Sequence, residues 1–491
     1  MNIVFISAEV VPYSKTGGLG DVSAAFPKAM KELGHDIVII TPLYKKIDIE
    51  KHNIKLVKKD LTAPIGDNLV VFELYESRLP DSQLPVYFIK NDYLFRDGIY
   101  VDEETGEDYA DSPMRFLSFS QSVFASLEFL KTVPDIIHAN DWHTGLVPFL
   151  LRTQYNAKPQ FSKTKSVYTI HNIGYQGIYP LEKIADANIP EIYLTDDLLG
   201  FHDQINFMKA AIVYTDILTT VSSKYAEEIQ TKEYGYGLEK FIETRKDDLY
   251  GIVHGIDLTI WNPKVDSLIV KNYDSSKLKL KTENKNYLQD KLNLDVSDKP
   301  LLGIITRIAS QKGLDLILKK FDEIMDLKVQ FVLLGTGDPK LEKKFKAKEK
   351  KYEGDCSINI EFDNRMAHQI EAGSDFFLMP SIYEPCGLNQ MYSMAYGTIP
   401  IVRETGGLAD TVTDYVDDPA NGNGFVFKNA KPDEFFEAVE LAVSLYYNDQ
   451  ADFQKLQKKV MNQDFSWNNA AKKWQKVYEK ALMKRWKKKS S

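Results

Sequence analysis

Two rhythms of apolar and polar positions alternate along this chain. Short runs rich in β-branched residues read as buried strands: NIVFISAEV over Asn2–Val10, then HDIVIITP, DIIHA, KSVYTIHNIG and DILTTVSS. The recurring unit is such a run, a Gly-containing turn, and then an amphipathic helix. After SKTGGLGD, for example, Val22, Ala25, Phe26, Ala29, Met30 and Leu33 recur at intervals of three and four and fill one helical face.

The rhythm pauses near residue 255. Residues 265–300 are rich in Lys, Asn and Asp and show only modest periodicity. It restarts with the strand PLLGIITR and a helix marked by Leu314, Ile317, Leu318, Phe321, Ile324 and Met325, and VQFVLLG, SINIEF, DFFLMPS and TIPIVRET follow as strands. Two βαβ series predict an α/β protein of two Rossmann-like, doubly wound domains with parallel sheets, residues 1–254 and 255–465. Ligands of such sheets lie beyond the carboxyl ends of the strands, so the expected site is a central cleft faced by both edges. At the end of the chain Trp467, Ala470, Ala471, Trp474, Val477, Tyr478, Ala481 and Leu482 form one stripe with lysines opposite. A stripe that aromatic needs a surface to cover, and segment 466–491 is expected to pack back on the first domain.

Composition narrows the class. A chain of 491 residues is too long for one core and suits two. Its 44% hydrophobic and 27% charged content is that of an ordinary globular protein. No apolar run reaches the roughly eighteen residues a membrane span needs, and no charged leader with an apolar stretch precedes the first strand. Two cysteines, Cys356 and Cys386, fit a cytoplasmic protein with neither a disulfide framework nor a Cys-based zinc site. The net charge of -9 argues against a general nucleic-acid binder, though a few local cations suffice for one phosphorylated small molecule. The terminal KRWKKK reads as cations finishing a helix. Oligomeric state is left open.

Four turns carry candidate chemistry. Lys15-Thr16-Gly17-Gly18-Leu19-Gly20-Asp21 joins a strand to a helix, where glycines admit a phosphate, the helix start offers free N–H groups, and Lys15 adds a cation. It is neither a P-loop nor a GxGxxG fingerprint, and glycines serve tight turns anyway. Arg307 and Lys312, in TRIASQKG, hold the equivalent place in the second half and suit a diphosphate leaving group. Ser381-Ile382-Tyr383-Glu384-Pro385-Cys386-Gly387-Leu388 follows an apolar strand. It puts the Glu384 carboxylate where sugar hydroxyls or developing positive charge would sit, and Cys386 without a base reads as a packed thiol. Glu404-Thr405-Gly406-Gly407-Leu408 again offers N–H groups at a helix start. Of the histidines, His171 follows a strand toward the cleft edge. His143, near Asp141 in NDWHTG, stays open between core and site.

SKTGGLGDV, NDWHTGLVP, IHNIGYQG, EYGYGLEK, TRIASQKG, EPCGL and TGGLADTV stand in the order and at about the spacing seen in bacterial glycogen synthases and plant starch synthases, which the chain resembles over nearly its whole length. Lys281, Asn284, Lys285, Leu288 and Gln289 resemble that family's connector. The resemblance implies the GT-B fold, with donor held by the second domain and glucan by the first. It implies retaining transfer of glucose from ADP-glucose to an α-1,4-glucan (glycogen or a malto-oligosaccharide), with no metal and no other cofactor. By position, Lys15 and Gly18 would meet the donor phosphates. Arg307 and Lys312 would grip the diphosphate with the amides of Leu388 and the Thr405–Gly407 turn. Glu384, Cys386 and Gly387 would hold the transferred glucose, and His171 would face it. Asp141 and Asp21 would lie toward the acceptor, and Phe362, where the family usually has Tyr, would stack on adenine.

Three positions depart from the pattern or qualify it: His254 where an NGID turn has Asn, Asn389 for the commoner Thr, and Tyr392 where related retaining transferases often carry a second Glu. The last is usual for the resembled family. A UDP-sugar transferase of the same fold is the nearest rival. A silent glucan-binding protein is opposed by the intact Lys15, His171, Arg307, Lys312 and Glu384. A nicotinamide dehydrogenase is opposed by the missing GxGxxG turn. The absent leader favours a cytoplasmic glycogen enzyme over a plastid starch enzyme.

Overall fold

A computed structural model describes residues 1–484; Arg485–Ser491, with most of the KRWKKK ending, lie outside the described residues. The chain divides into two compact units. The first comprises residues 1–221 and 226–252 with the C-terminal helix Trp467–Met483, the second residues 222–225 and 253–466.

A nine-stranded sheet forms the first unit, with Asn2–Ile6 between Asp36–Pro42 on one side and Ile136–Asn140 on the other, all parallel. Beyond Ile136–Asn140 come Lys165–Ile170, Ile217–Thr220 and Leu249–Gly251, also parallel. Beyond Asp36–Pro42 comes Leu84–Lys90, then the long antiparallel hairpin Asn68–Leu79 and Lys55–Ile65. The first strand ends at Ile6, short of the expected Val10: Ser7–Val10 stay buried but turn, and Val10 pairs across a tight bend with Ser14.

The second unit has six strands, all parallel, in the order Cys356–Asn359, Gln330–Leu334, Leu301–Ile305, Phe376–Met379, Ile399–Arg403, Phe425–Phe427. Numbered along the unit this is 3-2-1-4-5-6, the doubly wound Rossmann order, whose direction of winding reverses between Leu301–Ile305 and Phe376–Met379. Connections leave that crevice on opposite faces, so the loops at the carboxyl ends of these two strands part and leave room for a ligand.

The helix Trp467–Met483 lies in the core of the first unit. The Trp474 ring is 5.2 Å from Phe26, and the Tyr478 hydroxyl is bonded to the buried His138 ring at 2.7 Å. Leu482, expected on that stripe, is instead 39% exposed. The quiet stretch 265–300 holds a helix, Lys281–Lys291, that buries Lys281, Asn284, Lys285, Leu288 and Gln289. Lys281 Nζ is spent on the carbonyls of Glu371 and Ala372 and on Thr398 Oγ1, and Lys285 Nζ on Asp375 at 2.7 Å. Among the described residues no helix is long and apolar enough to cross a membrane.

Candidate functional site

At the carboxyl edge of the first sheet, the chain leaves Asn2–Ile6 and forms the loop that starts the helix Gly18–Glu32. Lys15 is exposed, and its Nζ stands 2.9 and 2.8 Å from the two oxygens of Asp21, one turn into that helix. The two N–H groups just ahead of the helix are already taken. Thr16 N–H and Gly17 N–H both donate to Glu9 Oε2, at 2.5 and 3.0 Å. The other carboxylate oxygen of Glu9 accepts from the Tyr100 hydroxyl. Burial raises the pKa of Glu9 and of Asp21, the latter opposed by Lys15.

Beside this loop, Asp141 follows the strand Ile136–Asn140 with φ 54° and ψ 176°, a region of backbone space that belongs almost entirely to glycine. Its surroundings hold it there: its N–H donates to Thr169 O at 3.0 Å, and its Oδ1 accepts from His171 N–H at 2.8 Å. Burial pushes the Asp141 carboxyl up to about 7, although the His171 and Asn172 N–H groups pull the other way. The His171 ring Nε2 donates to Asn140 Oδ1 at 2.9 Å, so two successive residues fix its backbone and its ring. His143 goes to the core. It is buried, stacked on Tyr100 at 4.3 Å and packed against Trp142 and Phe116, with neither ring nitrogen hydrogen-bonded and its pKa driven far down by burial.

In the second unit, the loops that follow the two crevice strands are zipped together. Ile382 N–H donates to Gln311 O at 2.8 Å, and Gln311 Nε2 donates to Tyr383 O at 3.2 Å. Gly313 is needed for this approach, and Gly407, past the strand Ile399–Arg403, for the approach of its own turn to the Glu384 loop. A Cβ on Gly313, at φ 68°, would stand 1.8 Å from Pro380 O, and one on Gly407 would stand 1.8 Å from Cys386 O. Lys312 and Glu384 are thereby brought together: Nζ to Oε2 is 2.6 Å, and Ser381 Oγ donates to the same oxygen at 2.9 Å. Arg307 lies exposed at the start of the first of these loops.

The Thr405–Gly407 turn does not present a row of free amides either. Thr405 N–H donates to Arg403 O, and Gly407 N–H to the carbonyls of Glu384 and Pro385, both at 3.0 Å. These glycines lock the Glu384 loop onto the helix Gly406–Thr411. Leu388 caps the helix Asn389–Ala395 without any side-chain bond to its N–H groups. Phe362, past the end of the edge strand Cys356–Asn359, is 83% exposed and has no place in the core. The Cys386 thiol is pushed up to about 12 by burial, which removes it as a nucleophile, and His254, whose backbone contacts that thiol, is pushed down to about 3 and stays neutral. Asn389 has a structural use: Nδ2 donates to Ile305 O at 2.8 Å and ties its helix to the strand end before Arg307. Tyr392 is buried and stacked on Trp261 at 3.9 Å.

Three residues that shape these loops escape the sequence reading. Glu9 and Asn140 are described above. Arg403 is the third: its guanidinium donates to the carbonyls of Ser381, at 2.7 Å, and Ile382, holding the base of the Glu384 loop. The available signal is a charge inside an apolar run, NIVFISAEV for Glu9 and TIPIVRET for Arg403, since a charged group buried there must be hydrogen-bonded.

Comparison with known proteins places these loops in context. Residues 2–244 match the family model described as starch synthase catalytic domain, and residues 288–460 that of glycosyl transferases group 1. A protein named glycogen synthase from Thermotoga petrophila is 43% identical over 490 residues, 99% of each chain. One of the same name from Thermosipho africanus is 43% identical over 491 residues, 99% of this chain and 100% of that one. The catalytic domain of starch synthase IV from Arabidopsis thaliana, solved bound to ADP and acarbose, superposes with a TM-score of 0.90 at 33% identity, covering 98% of this chain and 99% of that one.

Proposed function

The chain belongs to the glycogen and starch synthase family of GT-B glucosyltransferases, and from that premise we propose that it moves glucose from ADP-glucose to the non-reducing 4-hydroxyl of an α-1,4-glucan, with retention of configuration. One observation carries the reading. The crevice of the six-stranded sheet is bordered by Arg307, Lys312 and Glu384 on two interlocked loops, a pair of cations beside a buried carboxylate. Two cations suit a diphosphate and the carboxylate suits sugar hydroxyls.

In this reading the second unit holds the donor. Lys312 and Arg307 neutralise the diphosphate as the glycosidic C–O bond breaks, assisted by the Leu388 N–H, and Phe362 stacks on the adenine. Lys15 adds a cation from the first unit when negative charge develops on the leaving phosphate. These cations do the work assigned elsewhere to a metal. Glu384 accepts hydrogen bonds from hydroxyls of the transferred glucose, within the Cys386–Gly387 turn. His171, aimed by Asn140 and Asp141, faces that sugar. No carboxylate is assigned a double displacement: the acceptor hydroxyl attacks the face the phosphate leaves, and its proton passes to the departing phosphate oxygen. The glucan rests on the first unit, toward Asp141 and Asp21. With two free cysteines and no disulfide, a cytoplasmic site of action belongs to the same reading.

The direct test offers ADP-glucose and UDP-glucose separately, with and without glycogen, and measures nucleoside diphosphate release. Glycogen-dependent ADP release with α-1,4 extension is expected. Preferential UDP release would transfer the reading to the other donor, and no release from either would end it.

A further inference from the structure

The loop that carries Lys15 is held by a residue outside it. Glu9 is 3% exposed and sits six residues upstream of Lys15, on the far side of the tight bend at Val10–Ser14. The helix Gly18–Glu32 starts at Gly17, which has no side chain to cap it, and the two amides that lead into the helix take their acceptor from outside the loop. Glu9 Oε2 supplies it to two of them, Thr16 and Gly17, which are the residues next to Lys15 on its C-terminal side. The carboxylate is fixed in turn. Its second oxygen takes the Tyr100 hydroxyl, and the Tyr100 ring is stacked on the buried His143. Its backbone is pinned by a reciprocal pair of bonds with Ser7 Oγ, at 2.9 and 3.3 Å, and Ser7 Oγ accepts from Ser23 Oγ of the helix at 2.8 Å.

We propose that Glu9 is a positioning residue for transfer, whose carboxylate holds the Thr16–Gly17 amides and so fixes where Lys15 presents its charge. The inference rests on the role given to Lys15 under the proposed function. It accounts for a carboxylate kept in a costly place, buried and near the like-charged Asp21 and Asp141. A negative group at a helix start is favoured by the helix dipole, and here it also leaves Lys15 as the cation of the loop rather than one donor among several. It further explains why His143 and Tyr100 are built into an apolar stack under the loop: they stop the carboxylate from turning away.

The experiment compares Glu9→Gln and Glu9→Ala in the full chain. A glutamine Oε1 still accepts from both amides while its NH2 meets the Tyr100 oxygen; alanine leaves the amides without a partner. Displacing a catalytic cation by about 1 Å costs on the order of 100-fold in turnover, so Glu9→Ala should lose about that in kcat at saturating donor, with KM for ADP-glucose little changed. Glu9→Gln should retain most of kcat. Hydrogen exchange of the peptide spanning residues 10–20 should quicken in Glu9→Ala and stay near the parent in Glu9→Gln, and that readout needs no activity. Adding Lys15→Ala should make the Glu9→Ala loss in kcat disappear, since both act through one charge. Unchanged exchange in Glu9→Ala overturns the hold on the loop. Losses that multiply in the double variant overturn the action through Lys15. A Lys15→Ala enzyme with parental kcat overturns the role of Lys15 itself, and with it the catalytic half of the proposal, whereas the exchange result still decides the structural half.

Discussion

Lys312 Nζ and Glu384 Oε2 stand 2.6 Å apart, an ion pair that joins the two loops bordering the crevice. The two residues are assigned different partners in transfer, the diphosphate for Lys312 and the sugar for Glu384. An arriving diphosphate must compete with the carboxylate for the ammonium group, and the sugar hydroxyls then find Glu384 partly released.

From that competition comes the first expectation. Glu384→Gln should bind ADP as tightly as the parent or several-fold more tightly, while transfer falls by about 100-fold or more because an interaction with the reacting sugar is lost. Stability should change little, since a glutamine Oε1 in that place still accepts from Ser381 Oγ and Lys312 Nζ. Calorimetry of ADP binding beside initial rates decides it: weakened ADP binding with substantial transfer would reverse the assignments of the two residues.

Phe362 offers a cleaner separation of binding from folding. With 83% of its surface exposed, the ring contributes little to the core, so Phe362→Ala should leave the melting temperature where it was. ADP affinity should weaken by about 1–3 kcal/mol if the ring stacks on the base. Unaltered ADP affinity removes Phe362 from the donor site.

Asp141 joins backbone strain to an ionisation. Its carboxyl has a folded-state pKa near 7, above the ordinary Asp value of 3.8, so the native state holds this proton more tightly than the unfolded chain. The associated stability is complete at low pH and is lost as pH climbs from about 4 toward 7. Asn at this position does not titrate. Asp141→Asn should therefore gain in melting temperature relative to the parent as pH rises across that window, and the gain should level off above it. Asp141→Gly should also be tolerated by the fold, because glycine occupies φ 54°, ψ 176° without the penalty of about 1–3 kcal/mol that other residues meet there. Transfer should drop in the glycine variant, which loses the grip on His171. A pH-independent difference between Asn and the parent would mean the carboxyl titrates normally.

The parallel strands and the helix faces were legible because their signal is hydrophobic. PLLGIITR, VQFVLLG and DFFLMPS each become a central strand of the second sheet. The helix Lys281–Lys291 was not, although positions 281, 284, 285, 288 and 289 have helical spacing. Its buried stripe is mostly Lys, Asn and Gln, held by hydrogen bonds that no hydropathy pattern reveals. The hairpin of Lys55–Ile65 and Asn68–Leu79 escaped notice for the opposite reason: the outer strand is almost wholly exposed and carries little apolar alternation. At the site, the types and positions of Lys15, Arg307, Lys312 and Glu384 could be read from spacing. Their partners could not, because Glu9 meets Thr16, and Lys312 meets Glu384, only through the bends of the folded chain.

Lys15 and Lys312 give the most discriminating comparison, since they belong to different units and are held differently. Lys312 is half-buried against Glu384, on the loop that borders the crevice of the six-stranded sheet. Lys15 is exposed and paired with Asp21, an arrangement worth little in itself and easily exchanged for a phosphate. If the second unit binds the nucleotide in the ground state, Lys312→Ala should chiefly weaken ADP binding. Lys15 is assigned to the charge that develops on the departing phosphate, so Lys15→Ala should lower turnover strongly at saturating donor and ADP affinity little. That is the pattern of an interaction made mostly in the transition state. Both variants need ADP affinity by calorimetry and kcat at saturating ADP-glucose. The measurement that counts most is kcat for Lys15→Ala. If it equals the parent value and only donor affinity has fallen, Lys15 is a ground-state phosphate contact, and the charge of the leaving group is carried by Arg307 and Lys312 alone.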